Sequence, residues 1–462
     1  MGVDVDQELS PSLVEKLVYC GTLLKSFPQT EVAFKKLLDI NLGRKRIERI
    51  TERIGAERVQ QRDAAVDAVA ALKLMPKLDP PEGVVPPVAC AVMADGGRLQ
   101  LVDPHPESGK HWFEDKAGLC LELGSLEDAD DPTQPLCDPC PEVPSFLLDL
   151  AEVETLTREI GRLAAESSSH AAGATDTPLH LLGPTEASDE DLLATPLDCG
   201  ERLSPAVTLP SANAASSASA RDLPLSPRIK RREIVGTLGN AHEFGRLLVA
   251  RTWELGMFQS ERKGFVGDGG DWLWSLYEKE FQPFGFIGIL DIIHGVTHVF
   301  AAAMAGRERA AGGAIYCDWI TWIWRGEVAR VITALEERQE ELGPAEKLGA
   351  SLKTGADSSP QKIVASTVTY LRNQESHMNY PYYREQGLPI TSSHMESTMK
   401  ELNYRVKGTE KFWSEFGGEA VLQLRADSLS DSDPLAAFWR SRAETRSGFH
   451  ACAGARKPRQ ST

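Results

Sequence analysis

Blocks of apolar residues separated by short polar breaks predict a βαβ unit between residues 263 and 298. The pattern gives, in order, a strand at 264–266, a helix at 271–281, a strand at 286–290 and a helix from Asp291. Asp268 follows the first strand, and Asp291 follows the second strand, three residues before His294. Because ligands of open α/β sheets gather at the carboxyl ends of strands, we expect chemistry near Asp268.

Apolar side chains recur at helical spacing in three segments near the N-terminus. The predicted helices are 12–27, 30–38 and 44–59. The third helix is basic and opens with Arg44, Lys45 and Arg46. A helix, a short turn and a basic helix outline a helix-turn-helix, in which the second helix enters the major groove and cations hold phosphates. We interpret residues 1–85 as an N-terminal helical DNA-binding region, while a solvated face of a helical bundle remains the alternative.

After residue 86, apolar residues recur at every second position, as in a β-strand. The predicted elements are a hairpin with strands at 88–94 and 98–102, a strand at 118–123, a strand at 233–237 and a helix at 241–255. The hairpin turn is placed at Asp95-Gly96-Gly97, so Asp95 ends the first strand. Residues 86–124 and 229–306 are assigned to the first two parts of one α/β domain.

Composition separates residues 125–228 from the rest of the chain. This segment is rich in Pro, Ser, Ala, Asp and Glu, and its apolar surface is too small to offset the entropy of ordering. We predict an acidic, low-complexity, disordered insertion with one amphipathic helix at 145–165. Residues 103–202 hold 23 acidic and 5 basic side chains, so this part carries a charge of −18, and the remainder of the chain, whose total is −17, is close to neutral. The overall acidity therefore does not exclude a nucleic acid partner.

The C-terminal half is predicted to be mostly helical. Residues 307–358 are assigned to an α-helical insertion domain, residues 359–425 to the last part of the α/β domain, and residues 426–462 to a disordered basic tail. The chain opens without a signal-peptide pattern, and its most apolar window contains an Asp and two His residues. We expect a cytoplasmic protein without a membrane partner.

Taken together, the strands and helices predict an α/β fold of the ribonuclease H-like type. We expect a mixed five-stranded sheet flanked by helices, with an all-α insertion and an N-terminal helical region. Asp95 and Asp268 then lie on the first and fourth strands, which are neighbours. Two carboxylates at neighbouring strand positions repel each other unless a divalent cation or a proton neutralises them. Such hard oxygen ligands suit Mg²⁺ or Mn²⁺.

A third carboxylate is expected from a helix that crosses the sheet, and Glu396 is the candidate. Lys400 and Lys407 share its helical face because they follow it by four and eleven residues. On this helical face, Glu396 could hold a metal ion, and Lys400 and Lys407 could contact the phosphates of a DNA backbone. A surface ladder of ion pairs between Glu396 and Lys400 is the alternative.

Four motifs in order resemble the DDE transposases of bacterial insertion sequences, in the ISKra-type branch related to mutator-like elements. They are Gly-Asp-Gly before a Trp-bearing helix, Leu290-Asp-Ile-Ile-His294, GLPITSSHMES and RVKGTEKFW. The resemblance implies that Asp95, Asp268 and Glu396 are the three catalytic acids and hold two Mg²⁺ ions. It also implies that Asp291 and His294 form the C/D-x-x-H signature of the family, as supporting residues.

The same resemblance implies DNA cleavage and strand transfer at the ends of an insertion sequence. The partners would be double-stranded DNA, as terminal inverted repeats and target, with a homodimer or a higher oligomer assembled on it. Phosphates would be held by Lys400, Arg405 and Lys407. Trp319 or Trp322 would stack on a base, although Trp residues at helical spacing more often form core.

The sequence also departs from the family pattern. Thr391, Ser392 and Ser393 stand where relatives tend to have glycines, and the acidic insertion is unusual. Three other hypotheses stay open: another ribonuclease H-like nuclease, an inactive or truncated relic that only binds DNA, and a zinc module built on Cys137 and Cys140.

Overall fold

The computed structural model describes residues 9–104, 109, 111–124, 138, 140–168, 227–343, 359–408 and 411–453. The chain divides into two compact units. Unit one consists of Met1–Pro139, Ser226–His294 and Ser376–Thr462, and unit two of Cys140–Leu225 and Gly295–Glu375. The predicted N-terminal region of residues 1–85 therefore belongs to the same unit as the sheet.

Unit one contains a mixed, open, six-stranded sheet. Its strands are β1 (Ala89–Leu101), β2 (Trp112–Leu123), β3 (Ile229–Thr237), β4 (Arg262–Gly267), β5 (Ile287–Leu290) and β6 (Phe412–Trp413). The order across the sheet is β3-β2-β1-β4-β5, and β6 pairs with the end of β1. The pairs β1/β2 and β2/β3 are antiparallel, whereas β1/β4, β4/β5 and β1/β6 are parallel.

Helices flank this sheet and make up unit two. They are α1 (Pro11–Leu23), α2 (Phe27–Leu38), α3 (Arg44–Ala70), α4 (Leu74–Leu78), α5 (Ser145–Leu148), α6 (Leu150–Ser168), α7 (Ala241–Glu254), α8 (Asp271–Leu276), α9 (Ile292–Met304), α10 (Arg309–Trp324), α11 (Val328–Leu342), α12 (Pro360–Gln374), α13 (Tyr380–Glu385), α14 (Ser393–Val406), α15 (Glu415–Leu429) and α16 (Pro434–Ala453). The α/β class is thus confirmed, with six strands in place of the predicted five. Among the described helices, none combines the length and the apolar character needed to cross a bilayer.

The predicted turn at Asp95-Gly96-Gly97 is wrong. The chain stays extended there, and Gly96 and Gly97 pair with Lys116 and Asp115 of β2, so the two predicted short strands are one strand of 13 residues. Glycine at position 97 allows Met399 of α14 to lie close to β1, because a Cβ atom at this position would lie 2.5 Å from the Met399 methyl carbon. The hairpin instead joins β1 to β2, and the predicted strand at 118–123 is the second half of β2.

The N-terminal helices share one hydrophobic core with the far end of the sheet. Buried residues of α1, α2 and α3 pack with residues of β1, α14, β6, α15 and α16, among them Leu17, Phe34, Ile50, Leu101, Val406, Trp413, Val421 and Phe438. Helix α3 approaches α15 so closely that a Cβ atom on Gly55 would lie 2.5 Å from the carbonyl oxygen of Ala420. These helices are therefore an integral layer of unit one.

The predicted disordered tail at 426–462 is wrong for its first part. Residues 434–453 form α16, and its apolar residues Leu435 and Phe438 are buried in the core just described. Their spacing of three residues places both on one face of the helix. Arg442 adds an ion pair with Glu57 of α3 at 2.6 Å. Residues 454–462 lie outside the described part of the chain.

Unit two is helical where the structure describes it. The predicted amphipathic helix at 145–165 is present as α5 and α6, and most of the remaining acidic insertion lies outside the described residues. The predicted helical insertion at 307–358 covers α10 and α11, which are separated at Gly326, where φ is +77°. Tyr316 of α10 donates its hydroxyl proton to the carbonyl oxygen of Leu147 at 2.8 Å, so α5 and α10 are joined.

The contact between α3 and α15 predicts the effect of a matched pair of glycine substitutions. Gly55→Ser should lower the free energy of unfolding by about 1–3 kcal/mol, because the added side chain displaces α15. Gly43→Ser should leave it within about 0.5 kcal/mol, since nothing lies within 4 Å of a Cβ atom at this helix cap. Urea denaturation of both variants measures the difference, and equal stabilities would contradict the close approach.

Candidate functional site

Three acids follow one another across β1, β4 and β5. Extending the register of the parallel pairs β1/β4 and β4/β5 places Asp95 beside Asp268, and Asp268 beside Asp291. The N–H of Asp291 continues the ladder by donating to the carbonyl oxygen of Gly267 at 2.8 Å. The positions of these residues are thus fixed by backbone pairing.

Asp95 and Asp268 are half-buried and are held by nearby backbone groups. Asp95 lies within β1, and its Oδ1 accepts a hydrogen bond from the N–H of Gly96 at 2.7 Å. Asp268 follows β4, and its Oδ1 accepts from the N–H of Gly270 at 2.9 Å. The intervening Gly269 has φ of +98°, a conformation that glycine adopts without strain. The sequence Gly-Asp-Gly-Gly therefore orients the carboxylate.

Asp291 is fully buried and joins β5 to the segment before α14. Its Oδ1 accepts from the N–H of Ile293 at 2.8 Å, at the start of α9. Its Oδ2 accepts from both the N–H and the hydroxyl of Ser392, at 3.1 and 2.5 Å. Beside it, the N–H of Ile292 donates to the carbonyl oxygen of Ile390 at 2.9 Å. Asp291 thus fixes the position at which α14 begins.

Glu396 lies in the first turn of α14, whose start is held in this way. It groups with Asp291 and His294: one ligand atom from each of the three residues lies within 4.8 Å of the others. Two carboxylates and an imidazole at this separation can hold a metal ion. His294 reaches the group from the first turn of α9, three residues after Asp291.

Electrostatics connect Asp95 to the same group. Burial, together with the negative charges of Asp268 and Glu396, raises the pKa of Asp95 to about 7, although the Gly96 N–H and the charge of His294 act in the opposite direction. Strand register therefore places Asp95 beside Asp268, and the charges of Asp268, Glu396 and His294 act on Asp95. The group whose ligand atoms lie within 4.8 Å of one another consists of Asp291, His294 and Glu396, without Asp95 or Asp268. Carboxylates crowded in this way are neutralised by a proton or by a cation.

The predicted phosphate contacts of unit one divide into exposed and buried residues. Arg44, Lys45, Lys400 and Lys407 are exposed, and Arg46 is half-buried. Arg405 contradicts its predicted role because only 1% of its surface is exposed. Its Nε donates to the carbonyl oxygen of Gly21 at 2.8 Å, and its guanidinium lies 4.5 Å from the ring centre of Phe27. Arg405 is therefore a core residue that joins α14 to α1 and α2.

Some basic side chains of α3 also form ion pairs within the protein. Arg58 forms an ion pair with Asp427 at 2.9 Å, and Arg62 forms one with Glu419 at 2.8 Å. Both partners belong to α15. Within α3, the exposed cations of the predicted DNA-binding set are Arg44 and Lys45, at the beginning of the helix.

The predicted base-stacking tryptophans lie in unit two. Trp319 is buried, which contradicts a role in stacking on a base. Trp322 is half-buried, and the guanidinium of Arg330 lies 4.2 Å from its ring centre. Unit two also holds His298, whose ring stacks on Tyr370 at 3.8 Å.

The hypothesis of a zinc module finds no support among the described residues. Cys120 is buried, with its Sγ 3.7 Å from the hydroxyl of Thr252. The thiol of Cys140 donates to the carbonyl oxygen of Glu142 at 3.2 Å. The metal-holding group found in the described part of the chain contains no cysteine, and Cys137 lies outside that part.

Asp115 is a residue that the sequence analysis missed. It lies on β2 opposite Gly97, is 0% exposed, and accepts no hydrogen bond from another described side chain or backbone group. Burial raises its pKa to about 7, whereas its own N–H and the charge of Lys407 lower it. The signal in the sequence was the pair Gly96-Gly97, which leaves space for this carboxylate and was interpreted as a turn.

The raised pKa of Asp115 predicts a pH dependence of stability. Its folded pKa lies above the unfolded value of 3.8, so between these values the folded state holds more protons and the free energy of unfolding falls as pH rises toward about 7. Asp115→Asn should reduce this fall and should be more stable than the unsubstituted chain at pH 8. Urea denaturation in EDTA at several pH values measures it. Asp103→Asn, at an exposed loop position, should reproduce the unsubstituted profile, and an identical profile for Asp115→Asn would refute the assignment.

A second prediction concerns the link between Asp291 and Ser392. Ser392→Ala removes a hydroxyl that donates to a buried carboxylate, and should cost about 1–3 kcal/mol of unfolding free energy. Ser393→Ala, at the exposed neighbouring position, should cost less than about 0.5 kcal/mol. Thermal denaturation of both variants is the measurement. A Ser392→Ala variant as stable as Ser393→Ala would show that Asp291 does not depend on this hydroxyl.

Among known protein families and curated protein sequences, none matches this chain.

Proposed function

We propose that this chain is a DDE-type transposase with a ribonuclease H-like catalytic fold. The observation that carries the proposal is the convergence of Asp95, Asp268 and Glu396, which come from β1, the end of β4 and α14. Asp95 and Asp268, 173 positions apart, are neighbours by strand register, and the charge of Glu396, a further 128 positions along the chain, acts on Asp95. Their order and element types are those that the family resemblance implies.

The sheet supports the same interpretation. Three antiparallel strands at one side and two parallel strands at the other, in the order β3-β2-β1-β4-β5, match the layout expected for a ribonuclease H-like domain. Asp95 lies on β1, and Asp268 directly follows its neighbour β4. Fold alone does not determine function, so the acids carry more weight than the topology.

The residues fit divalent cations with a preference for oxygen ligands. Burial and the negative charges of Asp268 and Glu396 raise the pKa of Asp95 to about 7, and a cation among the carboxylates would relieve the repulsion between them. Asp95, Asp268 and Glu396 would hold Mg²⁺ or Mn²⁺, with Asp291 and His294 in support. When bound, these ions supply charge neutralisation for an in-line phosphodiester displacement and activate water or a DNA 3′-hydroxyl.

The chain's own residues position the reacting groups. Asp291 holds the first turn of α14 through Ser392, so the carboxylate of Glu396 stays near β1 and β4. Ser392 is one of the positions that depart from the glycines of the resembled family, and its hydroxyl has a defined partner here. Lys400 and Lys407, exposed farther along α14, would hold phosphates of the DNA backbone.

The substrate would be double-stranded DNA, in the form of the inverted repeats of an insertion sequence and a target. Cytoplasmic action by a homodimer or a higher oligomer on the DNA belongs to the same proposal. A ribonuclease H-like nuclease shares the acids and differs in its product, which would be cleaved DNA without joining to a target.

The site predicts the outcome of a matched pair of acid substitutions. Asp268→Asn should lower Mg²⁺-dependent DNA cleavage by at least about a thousandfold, since the loss of one charged ligand removes several kcal/mol of transition-state stabilisation. DNA binding measured in EDTA should change less than about twofold, because exposed cations carry it. Asp271→Asn, three residues away in the exposed first turn of α8, should retain cleavage. Unchanged cleavage by Asp268→Asn would remove Asp268 from the site.

A further inference from the structure

Among the described residues, the group of side chains spaced to bind one metal ion includes a histidine. It consists of Asp291, His294 and Glu396, whose ligand atoms lie within 4.8 Å of one another. All three residues belong to unit one. The neighbouring pair Asp95 and Asp268, by contrast, offers oxygen ligands alone. The two parts of the candidate site therefore differ in the chemistry of their ligands.

The three side chains combine one fixed ligand with two that can adjust. Asp291 is fully buried, whereas His294 and Glu396 are half-buried in the first turns of α9 and α14. Bonds from a divalent ion to nitrogen or oxygen are about 2.0–2.2 Å long, so two ligands of one ion lie about 3.0–4.4 Å apart. Rotation of the two half-buried side chains toward Asp291 can bring the group to these separations.

Asp291 has the hydrogen-bonded surroundings of a metal-ligating carboxylate. Its Oδ1 accepts from the N–H of Ile293 at 2.8 Å, and its Oδ2 accepts from the N–H and the hydroxyl of Ser392 at 3.1 and 2.5 Å. Donors of this kind orient carboxylates that bind metal ions. Each carboxylate oxygen has two lone pairs, so one oxygen can accept a hydrogen bond and bind an ion. These hydrogen bonds are therefore compatible with a metal ligand at Asp291.

The imidazole of His294 determines the class of ion. Mg²⁺ is bound through carboxylates, phosphates and water, whereas imidazole nitrogen suits first-row transition ions. Two carboxylates and a neutral imidazole carry a charge that a divalent ion balances. Three protein ligands also leave coordination positions for water or for an oxygen of a substrate, as in catalytic rather than structural metal sites.

We propose that Asp291, His294 and Glu396 bind one divalent transition-metal ion, with His294 as a direct ligand. The two ion positions of the site are then different: Asp95 and Asp268 form a position with oxygen ligands, and the position at Glu396 includes a nitrogen. Binding of this ion does not depend on the proposed function, but its part in phosphodiester chemistry rests on that function.

The experiment measures Mn²⁺ binding to the full chain, without DNA and in excess Mg²⁺. Pulsed electron paramagnetic resonance detects an imidazole nitrogen bonded directly to Mn²⁺, and we expect this nitrogen coupling in the unsubstituted chain. His294→Gln should abolish the coupling and weaken Mn²⁺ binding at least about tenfold, because the nitrogen ligand is lost. His242→Gln is the matched control, since His242 is exposed on α7. It should retain both the coupling and the affinity.

Absence of nitrogen coupling in the unsubstituted chain, or its persistence in His294→Gln, would refute the proposed ligand. Thermal denaturation shows whether His294→Gln is folded. If it is not, Glu396→Gln decides, because this variant replaces a half-buried carboxylate with an amide of the same shape. Its Mn²⁺ affinity should fall at least about tenfold, and an unchanged affinity would contradict the site.

Asp268→Asn separates this metal site from the proposed function. The variant should retain nitrogen-coupled Mn²⁺, because Asp268 is not a ligand of this ion, and it should lose Mg²⁺-dependent DNA cleavage. A chain that binds Mn²⁺ through His294 and cleaves no DNA would uphold the metal site and overturn the transposase proposal. A chain that cleaves DNA without nitrogen coupling would do the reverse.

Discussion

Repulsion among carboxylates held in a fixed place is the constraint on which the candidate site depends. Backbone pairing of β1, β4 and β5 places three Asp residues in a row, and α14 adds Glu396. Each is anchored by hydrogen bonds or by the sheet, so the group cannot disperse to lower its energy. A proton or a cation relieves this repulsion, which adds to burial, the main cause, in raising the pKa of Asp95.

Helix α14 can present Glu396 to this group because it is fixed at both ends. At its start, Ser392 donates two hydrogen bonds to the buried Asp291. At its end, Arg405 donates to Gly21 and lies against the rings of Phe27 and Trp413. Burial lowers the pKa of this guanidinium to about 10, which shows that keeping the charge in the core has a cost. The aromatic faces and the carbonyl oxygen partly offset that cost.

The sequence predicts those parts of the structure that depend on local pattern. The strand, helix and strand around Asp268, and the helix that carries Glu396, follow from hydrophobic period and turn residues, so their positions agree with the structure. The continuous strand β1 was predicted as two strands because a Gly-Gly pair occurs both in turns and in strands that are closely packed against other side chains. What distinguishes the two is the proximity of Asp115 and Met399, which lie far along the chain. The burial of Arg405 escaped prediction for a similar reason, since exposure depends on tertiary packing, whereas the burial of Trp319 agrees with the alternative that the Trp residues form core.

The common core of α1, α2 and α3 with the ends of β1 and α14 makes the N-terminal helices inseparable from the acids. In a modular enzyme, a recognition domain can be exchanged or lost while the remaining protein still folds. Here Gly21 and Phe27 support Arg405, and Arg405 supports the helix that carries Glu396. Under the proposed function, substitutions that change DNA recognition by these helices would be confined to their solvent-facing positions, because a change on their inner face would also shift the helix that carries Glu396.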